Sequence, residues 1–297
     1  MYVLMGANGN ITSKVARLLL SGGHPVRVVG RDAAHLEPLK RAGAGVAVGN
    51  VLDGKFLADA FRGATAVYAM IPPDYASPDH RRYQNAVGDA IVQAIREAGL
   101  GYVVNLSSVG ASLPYGTGPI AGLHDQELRL NRLTDTKVLH LRAAYFLENH
   151  LHGIGPIKAL GVYPGMIAAD VPLAMVATQD IAAAVASELT RPTYEAHTVR
   201  HLLGARDYTM SEVARVLGAA AGQPALKYVH TLPAQAKPRM IATGFSQNVA
   251  DLFEEMCKAM SDGRIQAKHR RDAASTTPTT LEQFAPAFAA AFNAGGH

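Results

Sequence analysis

The first half of this chain alternates short apolar runs with amphipathic stretches, and this alternation restricts the fold more than any other feature. Six apolar runs have the length and composition of strands: Tyr2–Met5, Val26–Val29, Gly45–Val48, Ala66–Ile71, Tyr102–Leu106 and Val138–Leu141. The stretches between them have helical periodicity: Lys14–Leu20, Ala33–Ala42, Phe56–Phe61, Arg81–Ala98 and His124–Leu133. Strands and helices alternating at this spacing predict βαβ units with right-handed crossovers. We therefore expect an α/β fold with a doubly wound parallel sheet, which binds ligands at the carboxyl ends of its strands.

The second half has a different rhythm. Two short strand patterns, Val199–Leu203 and Leu226–Val229, lie among five helical patterns: Asp180–Leu189, Ser211–Ala221, Pro233–Ala242, Gln247–Met260 and Leu281–Phe292. We predict two parts, residues 1–152 as the sheet domain and residues 153–297 as a smaller C-terminal α/β lobe. An interleaved boundary between the two parts is left open.

Composition narrows the functional classes. The formal net charge of +4 over 297 residues is mild, so a nucleic-acid partner is not expected. The single cysteine, Cys257, excludes an intramolecular disulfide and fits a reducing, cytoplasmic location. No uncharged apolar run is long enough to span a membrane, so no membrane partner is expected. A homodimer is compatible with all of these features.

A glycine pattern follows the first predicted strand, in the order Gly6-Ala7-Asn8-Gly9-Asn10-Ile11-Thr12. Gly6 permits a tight turn, and Gly9 lets the backbone approach a ligand without an intervening Cβ. The helix that follows, predicted to begin near Thr12, supplies amide donors and partial positive charge for a phosphate. A plain strand–helix turn is the alternative. The position after the first strand of a βαβ series favours a dinucleotide-binding turn of the Rossmann type.

The end of the second strand bears on cofactor choice. NAD sites place a carboxylate there, whereas this chain has Gly30-Arg31-Asp32. A guanidinium at Arg31 can pair with the 2′-phosphate of NADP, and Asp32 is better placed to cap the next helix. An exposed surface arginine is the alternative for Arg31. We predict NADP(H) as the cofactor.

Later strand ends add residues to the same edge of the sheet. After the third strand, Asn50 could bond the adenine edge. After the fourth come Met70, Ile71 and Pro72, and after the fifth come Ser107 and Ser108, near the expected nicotinamide. Each loop alone is ambiguous. Their recurrence at successive strand ends is what supports one cofactor site.

With these motifs, the chain resembles the NmrA-like group of atypical short-chain dehydrogenase/reductases. The resemblance includes Gly6–Gly9, Asn105–Ala111, His124-x-x-Glu127 and the stretch Leu141–Asn149. It returns at Gln179–Ala182, Thr209–Ala214 and Thr277–Phe288. The chain differs from the usual pattern at Thr12, at Asn50, and at Ala143-Ala144 where Pro-Gly is usual.

The resemblance implies an NADP(H) lobe and a smaller lobe that closes a substrate cleft. Family members include quinone, azo-dye and triphenylmethane-dye reductases, and relatives that sense the NADP redox state. Three groups of residues carry over: Gly6, Asn8, Gly9, Asn10, Ile11, Arg31 and Asn50 for the adenosine diphosphate half; Met70, Ile71, Pro72, Ser107, Ala144 and Tyr145 for the nicotinamide half; Phe146 and Asn149 for the substrate.

Conventional catalytic groups are scarce. No tyrosine is followed four residues later by lysine, so the usual short-chain dehydrogenase proton relay is excluded. His124 and Ser108 are our candidate catalytic residues; the alternative for His124, which the pattern favours, is that it begins a helix with its ring bonded to the preceding loop. No His-Glu-x-x-His motif occurs, and we expect no metal.

These features predict an NADPH-dependent oxidoreductase that transfers hydride to a small quinone-like, dye-like or carbonyl acceptor. The alternative is a non-catalytic NADP(H) redox sensor. Both require the same cofactor site, so the glycine turn does not separate them.

Overall fold

The computed structural model of the chain describes residues 1–7, 9–266 and 271–294. The first half consists of β1 (Tyr2–Met5), α1 (Asn10–Ser21), β2 (Val26–Gly30), α2 (Ala33–Arg41), β3 (Gly45–Val48), α3 (Gly54–Phe61), β4 (Ala66–Ala69), α4 (His80–Ala98), β5 (Tyr102–Ser108), α5 (Ile120–Leu130) and β6 (Lys137–Ala143). The second half consists of β7 (Tyr145–Phe146), a 3-10 helix (Leu147–Gly153), α6 (Ile154–Leu160), β8 (Tyr163–Gly165), β9 (Leu173–Val176), α7 (Thr178–Thr190), β10 (His197–Leu202), β11 (Asp207–Tyr208), α8 (Met210–Ala220), β12 (Tyr228–His230), α9 (Pro233–Ala242), α10 (Gln247–Ser261) and α11 (Leu281–Ala294).

Within the described residues, seven strands form one parallel sheet in the order β10-β6-β5-β4-β1-β2-β3. From β1 the chain first builds outward through β2 and β3, and then crosses back to β4 on the other side of β1. The strand order reverses at this point, so a crevice opens between the carboxyl ends of β1 and β4. The expected doubly wound parallel sheet is confirmed.

Helices cover both faces of the sheet, because successive strand residues point to opposite sides. Leu4, Val28 and Tyr68 are fully or almost fully buried on the face that packs against α1, α2 and α7. Val3 and Val67 are fully buried on the other face, against α3, α4 and α5. Burial on both faces explains why these strands are continuous apolar runs rather than alternating ones.

The smaller lobe is built on two short sheets, β11-β9-β7 and β12-β8, flanked by α8 to α11. The strand predicted at Val199–Leu203 lies outside it, since β10 pairs in parallel with β6 along the edge of the large sheet. The chain therefore returns to the first domain after residue 153. The division of the chain at residue 152 stays a prediction.

Local sequence explains several element boundaries. The strand predicted to reach Ile71 ends at Ala69, since the segment that follows runs into Pro72 and Pro73, which have no amide hydrogen for a ladder. Helix α1 begins at Asn10 rather than Lys14, directly after Gly9. The Gly- and Pro-containing segment Ile154–Leu160 forms a helix that the sequence did not predict. Across the described part of the chain, no helix is both long and apolar enough to cross a membrane.

Candidate functional site

The turn between β1 and α1 is shaped by two glycines. Gly6 has a left-handed backbone with φ of +72°, and a Cβ there would lie 2.5 Å from Met70 Sδ. The Gly9 amide donates to the Gly6 carbonyl at 2.8 Å and closes the turn. Because Gly9 has no side chain to cap α1, the first amides of that helix remain available to an anion. Asn8, predicted on this turn, lies outside the described residues.

The start of α1 anchors the turn to the sheet. Asn10 is exposed and Ile11 is buried, and together they open the helix. Thr12 occupies the position where the motif usually has a third glycine. It is 1% exposed, and its hydroxyl donates to the Met5 carbonyl at 2.8 Å. The hydroxyl thus has a hydrogen-bond partner on β1, so burying the polar side chain of Thr12 at this position leaves no donor unpaired.

A groove of about 260 Å³ opens beside this turn. It is lined by Gly6, Ala7, Gly9, Val29, Gly30, Arg31, Val51, Met70, Pro72 and Pro73. Arg31 is exposed, and no described residue forms an ion pair with it. Asp32 accepts from the Ala34 amide at 2.8 Å and lies 3.0 Å from His35, so its carboxylate is engaged at the start of α2. The guanidinium is therefore the free charge on this groove among the described residues.

Asn50 lies on the neighbouring loop after β3. Its side-chain oxygen accepts from the Leu52 amide at 3.0 Å and shapes its own loop. Asn50 is not among the residues that line the groove, so its contact with an adenine stays a prediction.

A larger cavity of about 290 Å³ adjoins the groove and shares Met70, Pro72 and Pro73 with it. It brings together nine predicted site residues: Met70, Ile71, Pro72, Ser107, Ser108, Ala144, Tyr145, Phe146 and Asn149. They come from the segment after β4, from the end of β5 and from the segment after β6, which parallel pairing of these strands brings to one edge of the sheet. The groove and the cavity together form one continuous site along the carboxyl edge of the sheet.

Ser107, at the end of β5, connects this cavity to a buried ion pair. Its hydroxyl donates to Glu127 Oε1 at 2.5 Å. Arg142 donates to both oxygens of the same carboxylate, at 3.0 and 2.6 Å. The Glu127 side chain is 6% exposed and that of Arg142 is 16% exposed. Because an ionised carboxylate can only accept, the Ser107 proton is committed to Glu127 and its lone pairs are left for a ligand.

The two candidate catalytic residues have local partners. His124 Nδ1 lies 2.8 Å from the Ala111 carbonyl oxygen, so that nitrogen carries the proton. Its neighbour Leu123 lines the cavity, whereas His124 does not. Ser108 lines the cavity, and its hydroxyl donates to the Val109 carbonyl at 2.9 Å. The roles of His124 and Ser108 in proton transfer stay predictions.

Residues 2–285 match the family model described as the NmrA-like family. The chain belongs to the NmrA-like family. The resemblance seen in the glycine turn and in the Leu141–Asn149 stretch is thereby confirmed.

Three proteins that this chain resembles carry reductase names. The NAD(P)H azoreductase of Xenophilus azovorans is 28% identical over 298 residues, covering 99% of this chain and all of that protein. Triphenylmethane reductase of Citrobacter sp., solved with NADP(H), superposes with a TM-score of 0.80 at 20% identity, over 97% of this chain and 100% of that one. NADPH-dependent quinone oxidoreductase of Escherichia coli, solved with NADPH, gives 0.78 at 20% identity, over 96% and 98%.

In this NmrA-like chain, the outer wall of the cavity comes from residues that the sequence analysis missed. Tyr75 follows the Pro72-Pro73 loop, and Phe253, Met256 and Met260 lie on α10. Tyr75 stacks on Phe245 with ring centroids 4.8 Å apart and meets Phe253 edge to face at 5.9 Å. The amphipathic pattern of α10 indicated a buried face, but nothing in it identified the surface that the face covers.

Hydrogen bonds fasten this wall to the first domain. The Ser246 amide donates to the Tyr75 carbonyl at 2.9 Å, and its hydroxyl donates to the Ser77 carbonyl at 2.6 Å. Asn248 accepts from the His80 amide at 2.9 Å. The start of α10 is thus held against the segment between β4 and α4 by three hydrogen bonds.

A second set of hydrogen bonds joins the 3-10 helix and α7 to the first turn of α1. Glu148 accepts from the Thr178 amide at 3.0 and 2.9 Å and also from the Thr178 hydroxyl. Lys14 Nζ donates to that hydroxyl oxygen at 2.9 Å and to the Asn10 carbonyl at 3.1 Å. The carboxylate therefore stabilises the start of α7, and the lysine ties α7 to the first turn of α1.

Below the cavity lies a buried aromatic cluster. His150 Nδ1 and the Tyr163 hydroxyl are 2.7 Å apart, and the Tyr145 ring is 5.4 Å from the His150 ring. Burial lowers the pKa of His150 to about 3 and raises the pKa of Tyr145 above its usual range. His150 is therefore neutral at neutral pH, and Tyr145 can donate a hydrogen bond but does not ionise.

His197 and His201 have the four-residue spacing of a helical metal-binding pair. They lie on β10, where that spacing separates the residues by roughly 13 Å. In the part of the chain that the structure describes, no group of three metal-ligating side chains comes together.

Proposed function

We propose that this chain is an NADPH-dependent oxidoreductase that reduces a small quinone-like, dye-like or carbonyl acceptor in the cavity between its two lobes. The observation that carries the proposal is that the groove beside the glycine turn is continuous with the larger cavity. A groove with a glycine turn and a free guanidinium leads directly into an apolar cavity, through Met70, Pro72 and Pro73. The reductase names of the relatives support the same class of reaction.

The turn fits a pyrophosphate. The place of a Gly6 Cβ is filled by the Met70 side chain, and Gly9 leaves the first amides of α1 uncapped. These amides would hold the diphosphate, and Arg31 would pair with a 2′-phosphate. Ser107, whose lone pairs are available, would accept from an N–H group such as that of a carboxamide. When bound, the cofactor supplies the hydride.

The chief task of the cavity residues in this proposal is to orient and shield the acceptor, and a proton-transfer role for Ser108 is not required. The Ser107 proton is directed to Glu127, and the Ser108 proton to a backbone carbonyl. Burial raises the pKa of Tyr145, which leaves its phenol protonated. A quinone or conjugated dye suits this site, since hydride transfer to such an acceptor requires positioning in a water-poor pocket and water can deliver the proton afterwards.

The test is NADPH oxidation by purified protein, followed by loss of NADPH absorbance with a panel of quinones, azo dyes and enones. We expect acceptor-dependent oxidation that shows saturation in acceptor concentration. NADPH binding by calorimetry, with no turnover of any acceptor, would instead establish the redox-sensor function. Absence of binding to both nicotinamide coenzymes would remove the cofactor assignment altogether.

A further inference from the structure

Within the described part of the chain, the larger cavity is lined by uncharged side chains. Among its described lining residues there is no Asp, Glu, Lys or Arg. The polar groups that reach it are hydroxyls, amides and the imidazole of His80. A ligand in this space would find hydrogen-bonding groups but no fixed charge to pair with.

The imidazole of His80 does not supply a charge at neutral pH. The residue is 3% exposed, and its Nδ1 lies 3.0 Å from the Asp74 carbonyl oxygen. Burial lowers the pKa of His80, and this outweighs the opposing contribution of the bond to Asp74. The ring therefore lines the cavity in its neutral form.

Two described cations just beyond the lining, Arg142 and Arg271, are already paired. Behind Ser107, the carboxylate of Glu127 is held by both donors of Arg142. A smaller recess of about 110 Å³ shares Val109, Tyr145 and Met260 with the cavity and includes Arg271. That guanidinium forms an ion pair with Asp207 and donates to the carbonyls of Leu203 and Gly204. Neither cation is free to receive an anionic ligand.

The shape of the cavity favours flat, apolar molecules. Tyr75, Phe146 and Phe253 supply aromatic surfaces, and ring faces of this kind stack on planar ligands. The volume of about 290 Å³ is at the small end for ligand pockets. The side-chain amide of Asn149 supplies a polar anchor, because it lines the cavity and has no hydrogen-bond partner among the described residues.

We propose that the acceptor site selects uncharged, planar, one- or two-ring aromatic molecules carrying a carbonyl or hydroxyl group, and rejects analogues bearing a sulfonate. This inference rests on the proposed function and specifies its substrate class. An ionised sulfonate placed here would lose its hydration and gain no counter-charge, so its burial is strongly unfavourable. The carbonyl or hydroxyl group would bond to the Asn149 amide.

The test measures binding without turnover. Calorimetry on the protein saturated with NADPH, whose reduced nicotinamide ring is uncharged, compares 2-naphthol with naphthalene-2-sulfonate, which differ in the polar substituent on one ring system. We expect 2-naphthol to bind more tightly by about tenfold or more. Equal affinities, tighter binding of the sulfonate, or no binding of either compound would overturn the inference.

Two substitutions of one wall residue, Met256, test whether charge decides which ligand binds. Met256 on α10 lines the cavity and is partly exposed, so Met256→Lys can keep its ammonium solvated while facing the ligand. We expect the ratio of sulfonate to naphthol affinity to rise by about fivefold or more in Met256→Lys. The ratio should stay within about twofold of the parent value in the control Met256→Gln, because glutamine is also a long polar side chain but carries no charge. A ratio that moves equally in both variants would contradict charge-based selection.

Turnover separates this inference from the proposed function. 1,4-Naphthoquinone and its 2-sulfonate are compared as acceptors, and the sulfonate is the stronger oxidant because its substituent withdraws electrons. A higher kcat/KM for the neutral quinone would therefore reflect the cavity rather than intrinsic reactivity. No reduction of any acceptor would refute the reductase function, while the naphthol-to-sulfonate binding ratio would still decide the selection rule.

Discussion

Ser107 Oγ lies 2.5 Å from Glu127 Oε1, so a hydroxyl that lines the cavity donates a hydrogen bond to a buried carboxylate. Arg142 donates to both oxygens of that carboxylate. The result is a polar chain from the cavity into the protein, with each member's orientation set by the next. Removing the central charge should affect both stability and ligand binding.

Glu127→Gln should lower the free energy of unfolding by about 2–4 kcal/mol, because it leaves the guanidinium of Arg142 partly buried without its counter-charge. Urea denaturation at neutral pH measures this change. The control is Glu37→Gln, which removes an exposed pair with Arg41 and should cost at most about 1 kcal/mol. Equal losses in the two variants would show that the buried pair contributes nothing beyond a surface pair.

Gly6→Ala should reduce NADPH affinity as well as stability. The left-handed φ of +72° costs an alanine about 1–2 kcal/mol, and the added Cβ would press on Met70, which lines both the groove and the cavity. Gly23→Ala is the matched control, since its φ is +75° with no atom within 4 Å of the new Cβ. Calorimetry should show weakened NADPH binding only in Gly6→Ala; a similar loss in both would mean that backbone strain alone is responsible.

Arg31→Ala should weaken NADPH binding by about tenfold or more and leave NADH binding nearly unchanged, because only NADPH carries the 2′-phosphate that a guanidinium would bind. Calorimetry with both coenzymes measures the two affinities. Arg41→Ala, which removes another exposed arginine on α2, controls for general loss of positive charge. If both coenzymes lose affinity equally in Arg31→Ala, the guanidinium does not contact the 2′-phosphate.

Thr12→Val should destabilise the protein by about 1–2 kcal/mol, because it removes a buried hydroxyl that donates to the Met5 carbonyl while keeping a similar shape. Thr12→Ser retains the hydroxyl and should cost less than Thr12→Val. Denaturant midpoints of the three proteins measure the order. A valine variant as stable as the parent, with only the serine variant destabilised, would assign the role of Thr12 to its methyl group.

The sheet and one edge of the site could be predicted from the sequence, because each strand end is visible as the end of a short apolar run. Gly6, Arg31, Met70 and Ser107 each follow a short apolar run, and parallel strands bring such positions together. The wall formed by Phe253 could not be predicted in the same way. An amphipathic helix specifies which face is buried but not the distant surface that it covers.

His124 shows a second limit of local pattern. The sequence places it on a helix near the site, but α5 begins at Ile120, and each residue turns the side chain by about 100°. That rotation puts Leu123 in the cavity lining and directs His124 to the Ala111 carbonyl.

The position of strand β10 could not be predicted either, since its pairing with β6 depends on contacts between distant parts of the chain that its own sequence pattern does not encode.

His140 should make folding stability depend on pH. It is 1% exposed on β6, where Asn105 Nδ2 lies 3.1 Å from its Nδ1 and Asn131 Oδ1 lies 2.9 Å from its Nε2. This arrangement requires a neutral ring that accepts at Nδ1 and donates at Nε2. Burial lowers the pKa of His140 from 6.5 to about 4. The unfolded state therefore binds the proton more readily, and the stabilisation is complete above pH 6.5 and lost as the pH falls toward 4.

The His140 contribution over that range is about 3 kcal/mol. His150, whose pKa burial also lowers, changes stability in the same direction. His140→Gln should therefore be less stable than the parent at neutral pH, but should lose about 3 kcal/mol less between pH 6.5 and pH 4. Urea denaturation of both proteins across these pH values measures the difference. Parallel curves for the two proteins would show that the imidazole of His140 does not titrate differently in the folded and unfolded states.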